Sequence, residues 1–248
     1  MATSSSLTKR VVLLILLVLP FLVYFIFVYN SEENFFQTLD YVGPPQVTTE
    51  GDTTPYQIPP FGFTNQYDTT VTSQDLRGQL YVANFFFTSC PTVCPAMNYQ
   101  VQQIQERFEN YEQFRILSFS VDPEHDTPAV LRDYAQKMKA QPGRWHFLTG
   151  PKDSIYNTAP DYFLNALEDS AAPGGFMHSQ YLVLVDWQGR IRSRRDDRGN
   201  LKGVYDGTSQ TEVNKLKDDI KVLIAEYEKW KSVQEYEASK EAKKMNER

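Results

Sequence analysis

The hydrophobic pattern changes period along this chain, and each change predicts an element. Val11 to Tyr29 is apolar without one charge. At about 1.5 Å per residue that run spans about 28 Å, close to the hydrocarbon thickness of a bilayer. Residues 30–58 are polar, with Pro44, Pro45 and Pro55, and predict a tether. Phe61 to Val71 alternates weakly and suits a hairpin, and Leu76 to Gln79 is a turn. Leu80 to Phe87 is a run of β-formers, the first central strand. Val93, Met97, Val101, Ile104 and Phe108 then recur at helical spacing. Phe114 to Val121 is a second central strand, followed by the loop Asp122 to Thr127. Thr127 caps the next helix and Pro128 takes its first position. That helix runs to about Lys139, with Val130, Leu131, Tyr134 and Met138 on its buried face.

The second half continues the alternation. Trp145 to Leu148 predicts a short strand, Asp153 to Phe163 a short helix, and Leu164 to Met177 a loop with Pro173, Gly174 and Gly175. Gln180 to Asp186 is an apolar strand that turns at Trp187-Gln188-Gly189 into Arg190 to Arg194. Ser209-Gln210-Thr211-Glu212 is a capping box. The helix it opens buries Val213, Leu216, Ile220, Leu223 and Tyr227, and the charged tail 231–248 continues it as a solvated helix that frays. Strand and helix alternate, so the class is α/β: a central mixed sheet with helices on both faces.

The only two cysteines, Cys90 and Cys94, stand where the first central strand hands over to its helix. Pro91 suits the first helical turn, which would place both sulfurs on one helix face. At that spacing they can bridge one soft metal ion or close a disulfide after modest adjustment. The helix N-terminus favours thiolate. The bland alternative, two buried core cysteines, does not account for the junction or the flanking Pro91 and Pro95. Open α/β sheets place their sites at the C-terminal ends of central strands, where this pair lies.

Composition narrows the setting. Net charge is −6, from 25 basic and 31 acidic residues, without the basic footprint of a nucleic-acid binder. Two cysteines are too few for a disulfide framework. Lys9 and Arg10 precede the apolar run, and Glu32 and Glu33 follow it. The positive-inside rule then keeps residues 1–10 cytoplasmic, makes 11–29 a transmembrane anchor, and puts the rest outside, on the periplasmic side of an inner membrane or its equivalent. A cleaved signal peptide is the competing reading, but Tyr29-Asn30-Ser31-Glu32 offers no small-residue cleavage site. Outside the cytoplasm the cysteines work in an oxidising compartment.

The order of elements, with a cysteine pair opening the first helix, resembles a thioredoxin fold. Three stretches resemble one branch of it: Phe86-Phe87-Thr88-Ser89-Cys90-Pro91-Thr92-Val93-Cys94-Pro95, then Ser120-Val121-Asp122-Pro123-Glu124-His125-Asp126-Thr127, then His178-Ser179 ahead of Tyr181-Leu182-Val183. That branch is the SCO/SenC family of copper-binding proteins that assist cytochrome c oxidase assembly. The resemblance covers roughly Pro59 to Tyr227, within a thioredoxin-like domain at 59–230. One departure is Thr92, where many members carry an acidic residue. The resemblance implies that Cys90, Cys94 and His178 bind copper. Independently, thiolates select Cu(I), and imidazole suits either copper oxidation state. A structural zinc site would take four protein ligands. The implied partners are the copper-site subunit of the oxidase and another copper donor.

His146 reads as structural, His125 as near the site by topology, and Met177 as packing, with an extra soft ligand as the alternative. Arg190, Arg192 and Arg194 alternate along one strand face, either solvated or a docking patch for an acidic partner. Two function classes remain. The first is a metallochaperone, not an enzyme, for the dinuclear copper site. The second is a thiol–disulfide oxidoreductase acting through Cys90 and Cys94 as a redox-active pair. A peroxiredoxin would carry Thr three residues before its cysteine, where Phe87 and Pro91 stand here.

Overall fold

The structure, a computed structural model, describes residues 6–31, 38–48, 51–169 and 171–246. It divides into two compact units, residues 1–38 and 39–248. The first holds helix α1, Ser6–Ser31, which includes Pro20. Its stretch Lys9–Ile26 is long and apolar enough to cross a membrane.

The second unit is built on a nine-stranded sheet. In chain order the elements are β1 (Asp40–Tyr41), β2 (Gln46–Val47), β3 (Thr53–Thr54), β4 (Gly62–Asn65), β5 (Thr70–Thr72), β6 (Leu80–Phe86), α2 (Val93–Arg107) and β7 (Phe114–Ser120). Then come α3 (Pro128–Lys137), β8 (Trp145–Thr149), α4 (Lys152–Asp161), β9 (Ala166–Glu168), β10 (Phe176–His178), β11 (Tyr181–Val185), β12 (Ile191–Ser193), β13 (Tyr205–Asp206) and α5 (Gln210–Asn246). The sheet order is β1-β12-β11-β6-β7-β8-β4-β5, with β13 also paired to β11. β6, β7 and β8 are parallel; β11 and β4 flank them antiparallel.

Every residue of β6 is buried, which follows from helices covering both faces. Strand alternation separates those faces. Asn84 meets Met97 of α2 and Phe86 meets Tyr134 of α3, whereas Tyr81 and Phe85 meet Tyr162 at the end of α4. Consecutive right-handed crossovers β6-α2-β7 and β7-α3-β8 put α2 and α3 on one face. α5 buries Val213, Leu216, Ile220, Leu223 and Tyr227. Glu212 N–H donates to Ser209 Oγ at 3.5 Å, but the Glu212 carboxylate turns to Lys202 and Lys215, so only half of the capping box forms. Beyond Trp230 the helix continues to Asn246 with its described side chains largely exposed.

Four expectations change. The helix after β6 begins at Val93, not at Pro91. A helix from Pro91 would need the missing Pro95 N–H and would drive the Pro95 ring into the Pro91 carbonyl; starting at Val93 puts Pro95 in the first turn, where no N–H is needed. The expected loop 164–177 holds a hairpin, β9 paired to β10 with His178 opposite Ala166. The expected tether 30–58 is folded from Leu39 onward: Leu39 and Ile58 are buried and β1 pairs with β12. The arginine strand is neither solvated nor a docking patch. Arg192 is 2% exposed and pairs with Asp186 and Glu226, Arg190 pairs with Asp186, and Arg194 pairs with Asp219.

Candidate metal centre

The end of β6 leads into a tight turn, with Cys90 N–H donating to the Phe87 carbonyl at 3.3 Å. Cys90 therefore sits just before α2 and Cys94 in its first turn. The two are not on one helix face, yet their sulfurs and the His178 ring offer three ligand atoms all within 4.8 Å of one another. His178 Nε2 stands 3.2 Å from Cys94 Sγ and 4.0 Å from Cys90 Sγ. Its Nδ1 donates to the Ser179 carbonyl at 3.1 Å. A carbonyl only accepts, so the proton sits on Nδ1 and the Nε2 lone pair faces the sulfurs. This is the usual second contact of a metal-binding imidazole.

Aromatic packing holds the histidine there. Phe87 meets His178 edge-on at 5.6 Å and Phe176 at 5.2 Å. Gly174, at φ 82°, lies against the Phe87 ring and Pro91, so close that a Cβ would stand 2.8 Å from the ring. The hairpin that carries His178 is thus seated on the turn that carries Cys90. A cleft of about 340 Å³, lined by Cys90, Thr92, Val93, Phe176, Met177 and His178 among others, opens onto the group.

The three groups differ in protonation. Burial alone would raise the Cys90 thiol, but the N–H groups of Thr92 and Cys94, with the Cys94 and Thr92 side chains, outweigh it and leave Cys90 below its ordinary value. Burial holds the Cys94 thiol well above its ordinary value. Burial also lowers His178, against the opposing Ser179 carbonyl, and keeps the imidazole neutral. A half-buried neutral imidazole beside two thiols, one biased to thiolate, fits a soft or borderline cation with few ligands; Cu(I) and Cu(II) both match that donor set. Metal binding would displace the remaining Cys94 proton.

Of the other candidates, His146 and His125 lie outside this group and Met177 borders it. His146 is on β8, with Nδ1 3.3 Å from Asn65 Nδ2. His125 is largely exposed and bonds to Asp126. Met177 is 48% exposed at the cleft rim, not packed against a core strand. Sequence reasoning missed the Ser179 carbonyl and the Phe87–Gly174 seat. The run Pro173-Gly174-Gly175 signals a turn but not what it rests on.

Residues 49–211 match the family described as SCO1/SenC, about two thirds of the chain. The chain belongs to the SCO1/SenC family. This SCO1/SenC protein is 32% identical over 169 residues to the SCO1 protein homolog of Bacillus subtilis, covering 67% of this chain and 82% of that one. Its structure resembles that of BsSco, described as a member of the Sco family of cytochrome c oxidase assembly proteins with a disulfide switch. The TM-score is 0.56 at 27% identity, over 73% of this chain and 95% of that one. The copper-bound structure of Arabidopsis thaliana ScoI shares the fold, at TM-score 0.51 and 22% identity over 66% of this chain and 97% of that one. The fold of this SCO1/SenC protein is accordingly thioredoxin-like, as the sequence resemblance implied.

Proposed function

We propose that this SCO1/SenC protein is a membrane-anchored copper carrier that helps assemble the dinuclear copper site of cytochrome c oxidase. Copper is its cargo, held by Cys90, Cys94 and His178. The single observation that carries this reading is His178 Nε2 at 3.2 Å from Cys94 Sγ, with Nδ1 occupied by the Ser179 carbonyl. A dithiol reductase needs the two sulfurs alone; a third ligand with its tautomer set is what a metal needs. The apolar helix supports the anchor, with Lys9 and Arg10 favouring a cytoplasmic N-terminus and the thioredoxin-like domain on the opposite side. The partners on this reading are the copper-site subunit of the oxidase and a protein that supplies copper.

The test is a copper titration of the full-length chain in detergent, reduced and then oxidised. The reduced protein should bind one copper per chain. Joining Cys90 and Cys94 in a disulfide removes both thiolates and should abolish binding. Stoichiometric copper on the oxidised protein overturns the ligand assignment.

A further inference from the structure

Asp126 lies outside the ligand group, yet it fastens the loop that carries Cys90. Its side chain is fully buried. Its two oxygens accept four hydrogen bonds. Oδ2 accepts from the Thr88 backbone N–H at 3.0 Å and from the Ser120 hydroxyl at 2.6 Å. Oδ1 accepts from His125 Nδ1 at 2.9 Å and from the Thr88 hydroxyl. A carboxylate offers about four lone-pair sites, so this one is full. Asp122, His125 and Asp126 do place three ligand atoms within 4.8 Å of one another. A saturated carboxylate is nevertheless a clamp and not a vacant ligand.

The clamp is itself rigid. Asp126 N–H donates to the Asp122 carbonyl at 2.8 Å, and Asp122 N–H to Ser120 Oγ at 3.1 Å. Ser120 ends the buried strand β7. Thr88, held by both its backbone and its side chain, is two residues before Cys90, and the Cys90 N–H to Phe87 carbonyl bond closes the turn between them. One buried carboxylate in the loop after β7 therefore fixes the turn at the end of β6.

We propose that Asp126 is a positioning residue that sets where the Cys90 sulfur stands, acting through Thr88. The proposal rests on the copper reading above. Without the clamp the turn relaxes and the sulfur–sulfur–imidazole group loses its preformed spacing. Losing outer contacts of this kind typically costs about 10–100-fold in metal affinity.

The experiment compares Asp126→Asn, Thr88→Val and Thr88→Ser in the full-length chain. It reads Cu(I) affinity by competition with a chelator, the site-resolved rate at which iodoacetamide alkylates Cys90 in the reduced, copper-free protein, and the unfolding midpoint. Asp126→Asn and Thr88→Val should each weaken copper by about 10–100-fold and alter the Cys90 alkylation rate, and Thr88→Ser, which keeps the hydroxyl, should restore both. Thr88→Val guards against a fold lost with Asp126→Asn, because it removes one hydroxyl and leaves the carboxylate in place. Parental affinity and parental alkylation in Thr88→Val overturn the proposal, whatever Asp126→Asn does to the midpoint. If the parent protein binds no copper, the functional reading fails, and the alkylation arm alone decides the role of Asp126.

Discussion

His178 Nε2 stands 3.2 Å from Cys94 Sγ, although 84 residues separate them along the chain. A substitution at that pairing tests a copper carrier against a thiol reductase. His178→Ala leaves both thiols and removes the imidazole. Copper affinity should fall by more than about 100-fold, beyond the usual loss for outer contacts. Cu(II) should suffer more than Cu(I), since two thiolates alone still hold Cu(I). In cells that express only His178→Ala at normal level, oxidase activity should collapse, as it should with Cys90→Ala. Near-parental activity with His178→Ala favours thiol chemistry and overturns copper delivery.

Gly174 seats the histidine hairpin on Phe87. Its φ of 82° and the 2.8 Å approach of a Cβ to the Phe87 ring mean that Gly174→Ala strains the backbone and displaces the ring. The cost should be about 1–3 kcal/mol. Because Phe87 also packs against His178, copper affinity should fall together with the unfolding midpoint. Gly199→Ala is the control, since it shares the positive φ but meets no atom within 4 Å. Equal effects on copper affinity from the two substitutions would remove the seat from the account.

Arg192 joins three segments. Its guanidinium donates to the Leu39 carbonyl at 2.7 Å and pairs with Glu226 at 2.6 Å and Asp186 at 3.3 Å. Arg192→Ala leaves carboxylates buried without this partner, a loss of about 3–5 kcal/mol. Urea denaturation should show it. Copper bound per folded molecule should not change, since none of these contacts reaches Cys90, Cys94 or His178. Loss of a docking function with unchanged stability would instead restore the reading of an open arginine face.

His125 adds a pH dependence. Its hydrogen bond to Asp126, opposed by burial and helped by the charges of Asp126 and Asp122, raises its pKa above 6.5 in the folded protein. A raised folded value means that the protonated form stabilises the fold. That contribution is complete below pH 6.5 and is lost as pH rises through the raised value. The difference in unfolding midpoint between the parent and His125→Asn should therefore shrink as pH is scanned from about 5 to about 9. A difference that stays constant across the scan assigns His125 no ionised role.

The sequence by itself determined what periodicity and residue chemistry carry. The runs Leu80–Phe87 and Phe114–Val121 are mostly apolar, broken by Asn84, Arg115, Ser118 and Ser120, because central parallel strands are covered on both faces, and both strands formed within a residue of those bounds. Thr127 and Pro128 state a helix start in local terms, and the cap forms there. Cys90, Cys94 and His178 were legible as chemistry, two soft thiols and an imidazole. Their mutual geometry was not. Helical spacing put both sulfurs on one face, whereas the covalent demand of Pro95 moved the helix start past Cys90 and a separate hairpin brought in the His178 imidazole. The short β9–β10 pairing left no period to read, because three-residue strands are held by what they pack against, here Phe87 beneath Gly174 and Phe176. Arg190, Arg192 and Arg194 looked solvent-facing for the same reason: a charge reads as exposed until its partners are known, and Asp186, Glu226 and Asp219 come to it only through the sheet and α5. Contacts between segments distant in the chain depend on the assembled sheet, so only the tertiary structure decided which way His178 faces and what holds Cys90 in place.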